Sequence, residues 1–101
     1  MGLHLLLGIV NRLYGFLDKH LAASGTSVRA KDWSDMLFIS RRHYHGGQFI
    51  ENHCAKLLNE VDKLEKLLVD KEAYIGILYV NTFRKLKLVK DKCFGFHLIE
   101  D

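Results

Sequence analysis

The residues best suited to chemistry are nitrogen and sulfur donors near the middle of the chain. His43, His45, His53 and Cys54 lie within a dozen residues of one another, and zinc prefers imidazole nitrogen and thiolate sulfur as ligands. Their spacing argues against chelation, because neighbouring residues of a helix point about 100° apart and His53 is next to Cys54. We therefore predict no metal site and no cofactor.

Catalysis by a cysteine is the next chemistry to consider. Cys54 and Cys93, with six histidines in the chain, offer Cys–His pairs for nucleophilic attack. No local signature frames either cysteine, and the sequence has no glycine-rich phosphate loop, no Gly-x-Ser-x-Gly and no His-Glu-x-x-His. Cys93 and His97 have i, i+4 spacing, but two ligands are too few for structural zinc. We predict that the protein is not an enzyme.

Basic residues form two clusters that suit a charged partner. The first is in ISRRHYHGGQ, residues 39–48, and the second is the run 84–92. Lysine and arginine in such clusters bind nucleic-acid phosphates or acidic protein surfaces. The predicted partner-binding or nucleic-acid-binding residues are Arg41, Arg42, His43, His45, Arg84, Lys85 and Lys87.

The segment WSDMLFISRRHYH loosely resembles the second half of a helix-turn-helix motif, in which a small residue and a turn precede a polar recognition helix. Two features depart from that pattern. Phe38 stands where the turn usually has Gly or Asn, and Gly46-Gly47 leaves a recognition helix of only about six residues. The likeness therefore supports nucleic-acid binding only as an alternative function.

The composition limits the class of protein. Of 101 residues, 49% are apolar and 27% charged, which is typical of a globular domain. The net charge of +3 belongs to the first half, which has six basic and three acidic residues, whereas the second half has nine of each. Two cysteines are too few for a disulfide scaffold, and the apolar start ends at Asn11-Arg12, too early for a membrane span. We expect one helical domain, 1–101, in an intracellular, cytoplasmic protein.

Apolar periodicity predicts three helices before residue 80. The first spans about 3–23 and is followed by a loop at 24–27. The second starts with Asp32 or Ser34 as its N-cap and ends at Gly46-Gly47. The third is a long helix with a heptad-like, coiled-coil seam and a weak position at Lys71. The seam consists of Leu57, Val61, Leu64, Leu68, Ile75 and Leu78.

Residues 74–99 allow two structures. The helical period continues through Leu86, which favours a helix to about Lys90, whereas KLKLVKDKCFGFHLI also alternates as a β-hairpin does. The predicted fold is accordingly an all-α bundle of about four helices. The alternative is a helical domain with a short C-terminal β-hairpin, similar to a winged helix.

The apolar faces predict the function. The first helix is apolar over most of its circumference and the third has its own seam, more than one chain of this size buries comfortably. We therefore predict a non-enzymatic interaction module, such as an adaptor, inhibitor or assembly subunit. It would form a homo-oligomer or bind a helical protein partner, with DNA or RNA binding as the alternative and no membrane span.

Overall fold

The computed structural model describes residues 2–39 and 51–93. These residues form five α-helices and a short 3-10 turn, and no β-strand occurs among them. The prediction of a small all-α bundle is confirmed. The elements are α1 (Gly2–Ala23), α2 (Ala30–Met36), α3 (Glu51–Asn59), α4 (Val61–Asp70), the 3-10 turn (Tyr74–Gly76) and α5 (Ile77–Cys93).

Helix α1 has the predicted bounds and supplies one wall of the core. Its inward stripe consists of Val10, Tyr14, Leu17 and Leu21, all buried and spaced three or four residues apart. The helix ends before Gly25, whose φ of +79° is the left-handed conformation that glycine adopts without a steric cost. The sequence signal for this helix end was therefore present.

Helix α2 begins earlier than predicted, because two carboxylates bind the backbone at its start. Asp18 of α1 accepts a hydrogen bond from the N–H of Ala30 at 3.1 Å, and Asp32 accepts one from the N–H of Arg29 at 2.9 Å. Arg29 is the N-cap, so the predicted N-cap role of Asp32 or Ser34 is wrong. Asp32 acts instead from the first turn, where a negative charge complements the helix dipole.

Helix α2 also ends earlier than predicted, at Met36 and not at Gly46-Gly47. The N–H of Ile39 donates to the carbonyl of Ser34 at 3.0 Å, and the N–H of Phe38 donates to that of Asp35 at 3.1 Å. With Phe38 at φ +58°, this is a Schellman motif, a helix end that usually has Gly at the left-handed position.

The predicted long third helix is divided in two at Glu60. The carbonyl of Glu60 accepts a hydrogen bond from the indole N–H of Trp33 at 3.1 Å and another from the N–H of Lys63, also at 3.1 Å. The break thus gives the one tryptophan a backbone partner in the core. A continuous helix was predicted because nothing in the local sequence marks Glu60 as a boundary.

Helix α4 ends as α2 does, in a second Schellman motif. The N–H of Ala73 donates to the carbonyl of Leu68 at 2.8 Å, and Glu72 has φ +56°. This end separates the last two positions of the predicted seam from the others. Ile75 and Leu78 lie after it and are 48% and 74% exposed. The first four positions of the predicted seam are buried, but the break at Glu60 divides them between α3 and α4, and the prediction is wrong for Ile75 and Leu78.

Trp33 lies at the centre of the bundle. Its ring stacks on Tyr14 with centroids 6.5 Å apart and contacts Phe83 of α5 at 5.3 Å in a tilted geometry. Aromatic pairs of this kind each add about 0.5–1.5 kcal/mol beyond the burial of area. Trp33 therefore connects α2 with α1, with α5 and, through Glu60, with the start of α4.

Helix α5 decides between the two structures considered for the C-terminal region. It runs to Cys93, so the strand and turn of the hairpin alternative are wrong for residues 85–92. Gly76 sets the position of its start, because a Cβ there would lie 2.8 Å from Leu68 Cδ1 and 3.3 Å from Leu17 Cδ1. Glycine thus lets the 3-10 turn approach both α4 and α1 closely.

Candidate functional site

The predicted site residues divide into two groups. Arg41, Arg42, His43 and His45 lie outside the described residues, so their role stays a prediction. The remaining three, Arg84, Lys85 and Lys87, lie on α5.

Arg84 is occupied by two carboxylates of α4. Its guanidinium lies 2.8 Å from Asp62 Oδ1 and 2.7 Å from Glu65 Oε1. The hydrogen bond from Arg84, together with its charge, lowers the pKa of Glu65, and the hydrogen bonds to Glu65 and Asp62 raise the pKa of Arg84. The pairing joins α4 to α5 and leaves Arg84 less available to a phosphate than its position in a basic run suggested.

The other cations of α5 are partly neutralised too. Lys87 Nζ is 3.3 Å from Asp91, while Lys90 is fully buried, with its ammonium 2.8 Å from Asn59 Oδ1 and 3.4 Å from Asp91. Burial acts to raise the pKa of Asp91, but the two lysines outweigh it and lower the pKa. Lys85 is exposed. Because Arg84 and Lys87 are paired with carboxylates and Lys90 is buried, the run presents a smaller positive surface than its composition implies.

Of the donor cluster considered for zinc, His43 and His45 lie outside the described residues, whereas His53 and Cys54 lie on α3. Cys54 is buried on α3, where the Asn11 amide donates to its Sγ at 3.8 Å. Within residues 2–39 and 51–93, no three histidine, cysteine or acidic side chains come together as metal ligands do. In the same residues, no helix has the length and apolarity that crossing a bilayer requires.

The solvent-facing stripe of α5 has exposed apolar residues at both of its ends. Leu78 begins it, and Leu88 (59% exposed) and Val89 (47% exposed) continue it near the other end of the helix. Exposed polar residues separate these apolar ends, and the helix buries Val80 and Phe83 on its opposite side. We call this stripe the α5 outer face, consisting of Leu78, Thr82, Lys85, Leu88, Val89 and Lys92.

A groove opens beside the first part of this face. It encloses about 330 Å³ and is lined by four residues of α5 and the 3-10 turn together with His20 of α1. Three of the four lie 3, 4 and 7 residues after Ile75, which is the spacing of a hole that accepts one side chain of a facing helix. The four are Ile75, Leu78, Tyr79 and Thr82.

The rim of the groove is fixed by a contact between helices. The His20 ring is hydrogen-bonded to the Tyr79 hydroxyl, and the two rings lie 5.5 Å apart. Burial raises the pKa of the Tyr79 phenol, so this hydroxyl stays protonated at neutral pH. The groove thus has an apolar floor with a polar edge.

Sequence reasoning placed the interaction surface mainly on the first helix. The structure buries Val10 and Tyr14 of that helix within the chain, although Leu5 and Phe16 remain exposed. The α5 outer face was missed because Leu88 and Val89 are separated from Leu78 by polar residues and lysine, a pattern typical of an ordinary solvent-facing side. The spacing of Leu78, Lys85 and Leu88 on one helical face was the available signal.

Comparison of the chain with protein-family models, with curated proteins and with solved structures gives no match.

Proposed function

We propose that this protein is a non-enzymatic helical interaction module that buries the α5 outer face against a helix of a protein partner. The observation that carries the proposal is the exposure of Leu78, Leu88 and Val89 on one side of a helix that buries Val80, Phe83 and Lys90 on the other. Burying one such side chain stabilises a complex by about 1.5–3 kcal/mol. Three on one stripe, with a groove beside them, suit the apolar centre of an interface.

The polar residues of the face suit the rim of such an interface. Lys85 and Lys92 are exposed and have long aliphatic stems that cover apolar surface while their ammonium groups stay in water. They also favour a partner whose matching surface has acidic residues.

The nucleic-acid alternative has less support. A phosphate-binding surface needs several free cations on one side, whereas Arg84 and Lys87 pair with carboxylates and Lys90 is buried. The cluster at Arg41 and Arg42 lies outside the described residues and keeps this alternative as a prediction. Binding of duplex or single-stranded nucleic acid at low salt would support it.

Site-specific crosslinking in the cells that produce the protein tests the proposal. A photoreactive amino acid replaces Leu78 in one variant and Met36, an exposed apolar residue of α2, in the control. We expect adducts of discrete mass at position 78 that position 36 does not give. An equal pattern at both positions, or no adduct at 78, would contradict the proposal.

A further inference from the structure

We infer that the segment 71–76 is a hinge through which α5 exchanges between two copies of this chain. In the swapped state α4 and α5 join into one helix from Val61 to Cys93, about 50 Å long, and α5 of each copy packs on the body of the other. The exchange involves the buried side of α5. It therefore goes beyond the proposed function, which concerns the outer side, and is independent of it.

The hinge has a backbone conformation that its local sequence does not favour. Glu72 has φ +56°, a left-handed conformation with a steric cost for any residue that has a Cβ. Lys71, Glu72 and Ala73 are helix formers, and the chain has no proline that would end a helix there. If α4 continues through the hinge, the N–H of Ala73 exchanges its bond to the Leu68 carbonyl for one to Val69, so no hydrogen bond is lost. Straightening therefore relieves the strain at Glu72.

The helical period of the sequence continues through the hinge. In one continuous helix, Ile75 would lie within about 20° of both Leu64 and Leu68 around the axis. Phe83, which α5 buries, would lie about 60° from Leu68, so the buried sides of α4 and α5 would point in similar directions. The straight helix can therefore pack its first half on its own chain and its second half on the other chain.

The contacts that hold α5 in the bundle can be made by either copy. The Phe83 ring contacts Trp33 at 5.3 Å, and the Arg84 guanidinium lies 2.7 Å from Glu65 Oε1. Both contacts join α5 to helices that precede the hinge. In the swapped dimer α5 of one copy makes them with the other copy, so no buried contact is lost on exchange.

Gly76 opposes the straight helix and keeps the closed chain as the resting state. Its missing Cβ allows the close approach to Leu68 and Leu17, whereas inside a helix glycine is the least favourable residue after proline. Closing α5 within one chain also needs no second molecule. Glu72 thus favours the open hinge and Gly76 the closed one, and exchange occurs when chains open at high concentration.

Two opposite substitutions in the hinge test the exchange. The full chain is refolded from urea at about 500 μM, and size-exclusion chromatography with light scattering measures the ratio of dimer to monomer. Gly76→Ala should raise this ratio and Glu72→Gly should lower it, each by at least about tenfold, because a dimer contains two hinges and each effect counts twice. Gly8→Ala and Phe38→Gly place the same new residues outside the hinge and should leave the ratio unchanged.

Exchanging the charges of one α4–α5 contact shows which chain α5 packs on. Glu65→Lys and Arg84→Glu each oppose like charges within a closed chain. In a swapped heterodimer the introduced carboxylate faces the introduced ammonium in one contact, and Arg84 faces Glu65 in the other. We expect joint refolding of the two variants to give at least about tenfold more dimer than either variant alone. A dimer formed through outer surfaces keeps both like-charge contacts and gains nothing.

The outcomes that overturn the exchange are distinct from those that overturn the proposed function. A monomer under every condition excludes the exchange, as does a dimer whose amount neither hinge substitution changes, or joint refolding that yields no excess of heterodimer. Circular dichroism checks that each variant is folded. Crosslinking from position 78 measures the outer side of α5, so adducts without a swapped dimer retain the proposed function alone, and a swapped dimer without adducts to another protein retains the exchange alone.

Discussion

Replacing Phe38 with glycine should make the protein more stable, although it deletes a large apolar side chain. Phe38 holds the left-handed position of the α2 Schellman motif at φ +58°, and its side chain is 95% exposed. Loss of the ring therefore removes little buried area. For a residue with a Cβ, the left-handed conformation has a steric cost of about 1–2 kcal/mol, whereas glycine has no such cost there.

The expected gain follows from two opposing terms. Glycine relieves the steric cost but adds about 0.5–1 kcal/mol of entropy to the unfolded chain. The net gain for Phe38→Gly is then about 0.5–1 kcal/mol, which raises the melting temperature of a domain of this size by roughly 2–8 °C. Thermal and urea unfolding followed by circular dichroism measures both quantities.

Phe38→Ala separates the backbone from the ring, because alanine removes the ring and keeps the Cβ. It should lie within about 0.5 kcal/mol of the original chain. Glu72, with φ +56° at the end of α4, offers an independent repeat with Glu72→Gly and Glu72→Ala. If glycine is no more stable than alanine at either position, the steric reasoning is refuted.

Three further outcomes are expected. Gly76→Ala should lower the free energy of unfolding in urea by about 1–2 kcal/mol, because the new Cβ meets packed leucine atoms. Gly8→Ala, in mid-helix with open space around it, should raise the free energy of unfolding by about 1 kcal/mol. Equal effects of the two substitutions would contradict the close approach at Gly76. Glu65→Gln should be less stable than the original chain at pH 7, because a carboxyl whose pKa is lowered by folding stabilises the fold at pH values above its ordinary pKa of 4.5. The difference in urea midpoint between the two proteins should narrow as the pH falls below 4.5. A difference that stays constant with pH would contradict the pairing of Glu65 with Arg84. Asn59→Ala should cost about 1–3 kcal/mol by calorimetry, since it removes the acceptor 2.8 Å from the buried ammonium of Lys90; a neutral result would mean that water replaces the amide.

Helix ends show what the sequence could predict of this fold. The end of α1 was predicted correctly from the loop at 24–27, in which Gly25 takes the left-handed conformation. The ends of α2 and α4 use the same hydrogen-bond pattern with Phe38 and Glu72 at that position, residues that give no such signal. What specifies those ends is the burial of the next residue, Ile39 or Ala73, and that depends on the tertiary structure.

The candidate site could be predicted only in part, for a related reason. A sequence shows how many lysines and arginines a run contains but not which carboxylate each one meets. The pairing of Arg84 with Asp62 and Glu65 joins positions about twenty residues apart on two helices. The exposed apolar stripe on α5 likewise appears only after the break at 71–76 rotates Leu78 away from the seam of α4.

The position of Trp33 gives the protein a built-in optical reporter. It is the one tryptophan of the chain, it is fully excluded from water, and it touches a tyrosine of α1 and a phenylalanine of α5. Its emission should be that of an apolar environment and should shift to longer wavelength only when α1, α2 and α5 separate. Because Phe83 lies on the opposite side of α5 from Leu78, binding of a partner to the α5 outer face should leave that emission unchanged. Unfolding and association can therefore be followed as two separate signals in one sample.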